Sequence, residues 1–206
     1  MNSILKLDTI ELDTIGNRRQ GRCNTTEQLT SSELENFFSA IANKYMNRSG
    51  IVFVCIGSDR STGDSLGPLV GTMLKERGWP NVIGTLDKPC DAHAVQQAAQ
   101  SLHKDDVVIA IDACLGKPTS IGRFILHEGP LEPGKAIGRR LPAIGHYSIA
   151  GVVNANGPKA YWMLQTTSLY QVMRMASEIA CAVDSAWGQH SDSLSYVNQA
   201  LQIPSV

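Results

Sequence analysis

Two unbroken apolar runs, Ile51-Val-Phe-Val-Cys-Ile56 and Val107-Val-Ile-Ala-Ile111, stand out from the rest of the chain. Runs of this length between turn residues mark strands buried on both faces, as in a parallel sheet. The first stops in a polar loop carrying Asp59, Arg60 and Asp64; the second ends on Asp112. Elsewhere the apolar positions return every three or four residues. Leu29, Leu34, Phe37, Phe38, Ile41 and Tyr45 predict a helix starting at Thr26 or Ser31. Leu66, Leu69, Val70, Met73 and Leu74 predict another from about Ser65 to Arg77, with Asp64 or Ser65 as its cap and Pro68 in its first turn. Gly67 and Gly71 inside that helix are each unfavourable by roughly 1 kcal/mol against Ala. Their spacing of four implies that the helix backbone lies close to the sheet.

The remaining pattern alternates between strands and helices. A short strand near Val82–Leu86 precedes a helix from about Ala92 to His103, and the strand at 107–112 follows. Residues 116–145 are rich in Gly and Pro and predict turns with a short strand at Gly122–His127. Tyr147–Val153 reads as another strand. From Pro158 to Trp187 the period is helical, with Trp162, Leu169, Val172, Met173, Ala176, Ile179 and Val183 as expected core. Thr166-Thr167 predicts a break into two helices. The expected organisation is an N-terminal arm or edge element (1–25), a single α/β domain (26–188) and a loose polar C-terminal tail (189–206). Such alternation predicts an α/β fold, most simply a three-layer α/β/α sandwich.

Composition changes this picture little. At 206 residues the chain fits one medium domain that can bury roughly 70% of its unfolded surface, so it needs neither disulfides nor metal to fold. A formal charge of −1, with scattered Lys and Arg, gives no bulk attraction to nucleic acid or to a membrane surface. Arg18, Arg19, Arg22, Arg139 and Arg140 read as solvated surface. Five cysteines without close spacing, Cys55 and Cys114 in or beside core strands, suit a reducing compartment. No signal peptide and no run near the ~20 apolar residues of a membrane span are evident. The expected location is the cytoplasm.

Two motifs mislead. Gly63-Asp64-Ser65-Leu66 spells the signature of GDSL esterases, but it lies beyond the strand end and no late Asp-x-x-His supplies a base for Ser65. Gly57 to Gly63 is one residue too long for a phosphate-binding P-loop, and Asp64 stands where its Lys belongs. The carboxylates remain. If the two apolar strands are neighbours, Asp64 and Asp112 meet in one crevice at the carboxyl ends of the strands, where open α/β sheets bind ligands. Two close carboxylates rarely both ionise. Such a pair can hold a water, with the ionised member as base and the protonated member polarising a carbonyl. With a histidine the pair can instead take a divalent metal. The plainer reading is that each Asp caps a helix or closes a turn, and spacing alone gives the two readings even odds. His93, in Cys90-Asp-Ala-His93, and His146, before the strand at 147, are weaker candidates for the same crevice. His103, His127 and His190 read as surface residues.

Cys55-Ile-Gly-Ser-Asp-Arg-Ser-Thr-Gly-Asp-Ser-Leu-Gly-Pro-Leu-Val-Gly71 and Ala110-Ile-Asp-Ala-Cys-Leu-Gly116 closely resemble the YyaC-type sporulation proteins of spore-forming Firmicutes. The likeness spans roughly residues 50–183 and includes Gly84-Thr-Leu, Gly129-Pro-Leu-x-Pro-Gly134 and Gly151-Val-Val-Asn154. That family is more distantly related to germination protease and the hydrogenase maturation endopeptidases, so the resemblance implies a phosphorylase/hydrolase-like sandwich of the hydrogenase maturation protease type. In germination protease two aspartates are held to be essential. Gly63-Asp64-Ser-Leu-Gly-Pro68 resembles the stretch around one, and Asp112-Ala113 matches the other. Hydrogenase maturation enzymes carry a Glu and an Asp there and, with a His, contact nickel in their substrate; His146 lies in the corresponding region.

The resemblance thus implies Asp64 and Asp112 as catalytic residues; Asp59, Arg60, His93 and His146 are the candidate substrate contacts beside them, with a salt bridge at the base of the loop as the plainer reading of Asp59 and Arg60. It implies no cofactor outright and leaves a divalent metal open. The implied partner is a protein or peptide substrate, such as small acid-soluble spore proteins, in the forespore or mother cell, with neither nucleic acid nor membrane and with oligomerisation open. Two functions of different class follow: an endopeptidase acting in sporulation or germination, or a non-catalytic sporulation factor that binds a partner or small ligand in the same crevice.

Overall fold

A computed structural model describes residues 26–134 and 141–200. The expectations for residues 1–25 and 201–206, and those for Cys23, Arg139 and Arg140, lie outside the described residues. Five strands form one sheet: β1 (Ile51–Cys55), β2 (Val82–Ile83), β3 (Val107–Gly116), β4 (Phe124–His127) and β5 (Tyr147–Ala155). Their order is β2-β1-β3-β5-β4; only the β4–β5 pair is antiparallel. The helices are α1 (Thr26–Lys44), α2 (Leu66–Glu76), α3 (Ala94–Ser101), α4 (Ala160–Gln165) and α5 (Leu169–Ala200).

The continuous apolar run at 51–55 is explained by position: β1 lies between β2 and β3, and all five of its residues are buried. On one face, Ile51, Phe53, Cys55, Ile109, Ile111 and Ile149 pack against α1, α2 and α5. On the other, Val52, Val54, Ile56, Val108 and Ala110 meet Val95 and Ala98 of α3, with Ile144 closing the layer. The fold is therefore α/β with helices on both faces, as the alternation predicts. The first helix, the β1 strand, the helix after it and the split at Thr166-Thr167 all stand where the sequence puts them.

Gly67 and Gly71 do seat α2 against the sheet. A Cβ at Gly67 would collide with the Ile56 carbonyl, and one at Gly71 with the Gly84 carbonyl. Gly84 itself has φ +92° and presses on the Cys55 carbonyl, and this turn ends β2 after Ile83 instead of at Leu86.

Other boundaries also move. The expected 92–103 helix is trimmed to Ala94–Ser101. The second apolar strand does not end on Asp112. It continues to Gly116, because β5 stays paired with it from Asp112↔Ala150 to Gly116↔Ala155 after β1 has left. α5 continues to Ala200, into the stretch expected as a polar tail. Its buried stripe is Val172, Met175, Ala176, Ile179, Ala180 and Val183. Leu169 and Met173, expected in the core, lie on the neighbouring stripe of α5 and are 57% and 46% exposed, and Trp162 of α4, also expected there, is 57% exposed. No helix among the described residues is long and apolar enough to cross a membrane.

Candidate functional site

After β1 the chain passes through α2 to β2 on one side of the sheet. It then returns over the opposite face through α3 to β3, on the other side of β1. The gap between the carboxyl ends of β1 and β3 is thus a topological switch point, the position where open α/β sheets form their ligand crevice. Two carboxylates enter it. Asp64 sits in a single 3-10 turn, Gly63–Ser65, directly ahead of α2. Asp112 follows Ile111, the last β3 residue with a partner in β1, and continues the row of Val108 and Ala110 on the face covered by α3.

The turn carrying Asp64 is fixed from three directions. The Asp64 carbonyl accepts from the Ser58 N–H at 3.1 Å, and the Gly57 N–H donates to the Cys90 carbonyl at 3.0 Å. Gly57 has φ +143°, and a side chain there would run into the Asp64 carbonyl. Gly63 touches the α4–α5 elbow: a Cβ would lie 2.9 Å from both the Leu164 carbonyl and the Thr167 Oγ1. That elbow is held to β5 by Asn154, whose Nδ2 donates to the Met163 carbonyl at 2.8 Å and to Thr167 Oγ1 at 3.3 Å.

The capping role expected of Ser65 is absent. Its hydroxyl donates back to the Thr62 carbonyl at 2.7 Å, and no side chain caps α2. Asp64 is therefore not spent on its own helix, which counts against the plain capping reading. Asp112 Oδ1 accepts from the Ala113 N–H at 2.8 Å, a donor that would otherwise face the vacated β1 side.

Burial and charge shape the acidity of the pair. Burial raises the Asp64 carboxyl above its usual range, the charge of Asp91 raises it further, and the Ser58 N–H works in the opposite direction. Asp112 is pushed well above the carboxylate range by burial first and by the Asp64 charge second; the Ala113 N–H only partly opposes this. Both shifts favour the protonated form, and the stronger push falls on Asp112. The thiols nearby are poor nucleophiles: Cys90 is pushed up to about 11 and Cys114 to about 12, in both cases mainly by burial.

Asp91 is a site residue that the sequence reading passes over. The isolated bridge Ile56↔Cys90 sets it beside the end of β1. Its Oδ1 accepts from the His93 and Ala94 N–H groups at 2.9 and 3.1 Å, capping α3. His93 stands exposed at that same end of the sheet. Asp59 and Arg60 are exposed on the loop between β1 and Asp64, and among the described residues neither forms an ion pair. His146 is not brought to the crevice. It precedes β5, and its Nδ1 accepts from the Val108 N–H at 3.0 Å, at the amino end of the sheet. Four residues of strand, roughly 13 Å, separate that level from Asp112. Among the described residues no three His, Cys, Asp or Glu side chains converge to hold a metal ion.

A family model described as "Protein of unknown function (DUF1256)" matches residues 22–182, a span that includes Asp64, Asp91 and Asp112. The uncharacterized protein YyaC of Bacillus subtilis (strain 168) is 43% identical over 162 residues, covering 75% of this chain and 78% of its own length. Two solved structures are also similar. The [NiFe] hydrogenase maturation protease HybD from Thermococcus kodakarensis aligns with TM-score 0.43 and 14% identity, over 66% of this chain and 98% of that one. The [NiFe] hydrogenase maturation protease HycI from Thermococcus kodakarensis KOD1 aligns with TM-score 0.41 and 24% identity, over 65% and 92%.

Proposed function

The chain belongs to the family described as protein of unknown function DUF1256, and from that footing we propose that it is an endopeptidase whose paired aspartates, Asp64 and Asp112, hydrolyse a peptide bond in a protein substrate during sporulation or germination. The observation that carries this reading is the pair itself: Asp64, in the turn after β1, and Asp112, just beyond the last β3 residue paired with β1, are both half-buried at the switch point of the sheet. The motif likeness of both aspartates to those of germination protease supports it independently.

In this mechanism Asp112 holds the proton and donates to the oxygen of the scissile carbonyl. Asp64, ionised, takes a proton from a water between the two carboxyls. The water oxygen bonds to the carbonyl carbon, and the carbonyl oxygen receives the Asp112 proton. Collapse of the tetrahedral intermediate breaks the C–N bond as Asp64 passes its proton to the leaving amine, and Asp112 recovers its own. A base whose acidity is weakened by burial and a neighbouring charge is the stronger base, which suits Asp64 to this part. Arg60 and His93, exposed on the rim, are the side chains positioned to meet the substrate backbone or its acidic groups.

The test is incubation with purified small acid-soluble spore proteins, read by intact mass spectrometry, with wild type beside Asp64→Asn and with and without chelator. Defined fragments from wild type, slowed roughly a thousandfold or more in the variant, are expected. Sensitivity to chelator would assign the chemistry to a metal in place of the acid pair. Intact substrate in every lane would favour a non-catalytic factor that binds its partner in this crevice.

A further inference from the structure

Five of the nine exposed large apolar side chains among the described residues lie on the α4–α5 shoulder. Tyr161, Trp162, Leu169, Tyr170 and Met173 are 59%, 57%, 57%, 78% and 46% exposed. Leu169 and Met173 share one stripe of α5, one turn apart, and Tyr170 stands beside them. A contiguous patch of this kind marks a surface that something covers. A cleft of about 470 Å³ continues it along α5, bounded by Tyr170, Met173, Arg174 and Cys181 on one wall and by Glu35 of α1 on the other.

The course of α1 says what is at hand to cover it. Just past the end of α1, the Tyr45 carbonyl accepts from the indole N–H of Trp187, midway along α5, at 3.0 Å, and the Phe38 ring meets Trp187 edge-on at 6.4 Å. Earlier in both, Glu35 faces the cleft walled by Tyr170 to Cys181. The two helices therefore run side by side in the same direction. The nine residues from Glu35 back to Thr26 span roughly 13 Å of helix, which brings the start of α1 out near Leu169.

Twenty-five residues precede Thr26, and their composition fits the surface they reach. Ile4, Leu5, Leu7, Ile10, Leu12 and Ile15 are aliphatic, and Arg18, Arg19 and Arg22 lie between them and α1. The exposed face of α1 carries Glu33 and Glu35. From Thr26 back to Ile15 the chain can stretch to roughly 36 Å, more than enough to lay the aliphatic stretch along the shoulder.

We propose that residues 4–15 of this chain dock on its own α4–α5 shoulder, aliphatic side chains against Leu169, Tyr170 and Met173, with the arginines of the spacer against Glu33 and Glu35. The surface is continuous with the crevice wall, since the same α4–α5 elbow bears on Gly63 beside Asp64.

The test is hydrogen exchange by mass spectrometry on the full-length chain at 100 and 1 μM, wild type beside the double variant Tyr170→Asp, Met173→Asp. Both positions are exposed, so the core is untouched. Peptides covering residues 4–15 should exchange roughly tenfold or more slowly than an unstructured chain in wild type, at either concentration. In the variant they should return to the unstructured rate. Unstructured rates in wild type, or protection unaffected by the double variant, would overturn the proposal. Protection lost on dilution would also overturn it, by assigning the surface to a second copy.

Discussion

Replacing Gly67 by Ala sets two effects against each other, and the structure decides between them. In a free helix the change is favourable by about 1 kcal/mol, because Gly has the larger conformational entropy to lose. Here the new methyl would point into the Ile56 carbonyl. A backbone oxygen at the end of a central strand cannot rotate aside as a side chain tip can, so α2 must retreat by roughly an ångström to restore ordinary contact. Overpacking of this kind costs typically about 1–3 kcal/mol, and a backbone obstacle belongs at the top of that range or above it. The net expectation is a loss of about 2 kcal/mol, or a fall in Tm of roughly 4–8 °C for a chain of this size. Gly50→Ala is the control, because nothing lies within 4 Å of a methyl there. Urea and thermal unfolding at pH 7 supply the assay. A Gly67→Ala protein as stable as wild type, or more so, would refute the idea that backbone contact seats this helix. The same retreat would carry Asp64 away from Asp112, so any hydrolytic rate should fall about a hundredfold.

Three further outcomes are expected. Asp112→Asn should stabilise the fold at neutral pH. The native carboxyl binds its proton more tightly than the unfolded one, so wild-type stability falls as pH rises above the unfolded carboxylate value of 3.8, until it passes the raised native value. The advantage of the variant in urea should accordingly be absent at pH 3, grow above pH 4 and then level off; a variant that loses ground with rising pH would contradict the burial of that charge. Asp91→Asn, which keeps an oxygen for capping α3, should lower the titration midpoint of Asp64 when its carboxyl carbon is followed by NMR, and an unmoved midpoint would remove Asp91 from the site. In the cleavage assay, Asp64→Asn should be inactive yet unfold at the wild-type urea concentration or above it, whereas loss of folding would mark Asp64 as structural.

What the sequence carried was local. The β1 run is legible because both faces and both edges of that strand are covered, so every residue is apolar. The end of β3 is not, because past Ile111 one edge is bare and polar residues become tolerable; only pairing with β5, some forty residues later, keeps the strand going. Asp64 and Asp112 could be picked out as strand-end carboxylates, with a resemblance to sharpen the choice. Asp91 could not, because it joins them through the bridge between Ile56 and Cys90, which no local pattern announces. His146 was attractive by its position in the chain and fails on direction: it precedes a parallel strand and so stands at the wrong end of the sheet. For α5 the period was plain but its phase was not, since packing against α1, α2 and β5 together selects which stripe is buried and leaves Leu169 and Met173 outside.

The contact between Trp187 and Tyr45 ties the end of α1 to α5. A ribosome makes the protein from the amino end, so Leu34, Phe38, Phe53 and Trp79 emerge long before the helix that covers them. Until α5 is complete, the parts of α1, α2 and the sheet face that it covers stay open hydrophobic surface. The nascent chain therefore cannot finish folding domain-wise as it grows. It must be shielded until about residue 187 is clear of the exit tunnel, and truncations ahead of that point should accumulate as aggregates and not as shortened, working protein.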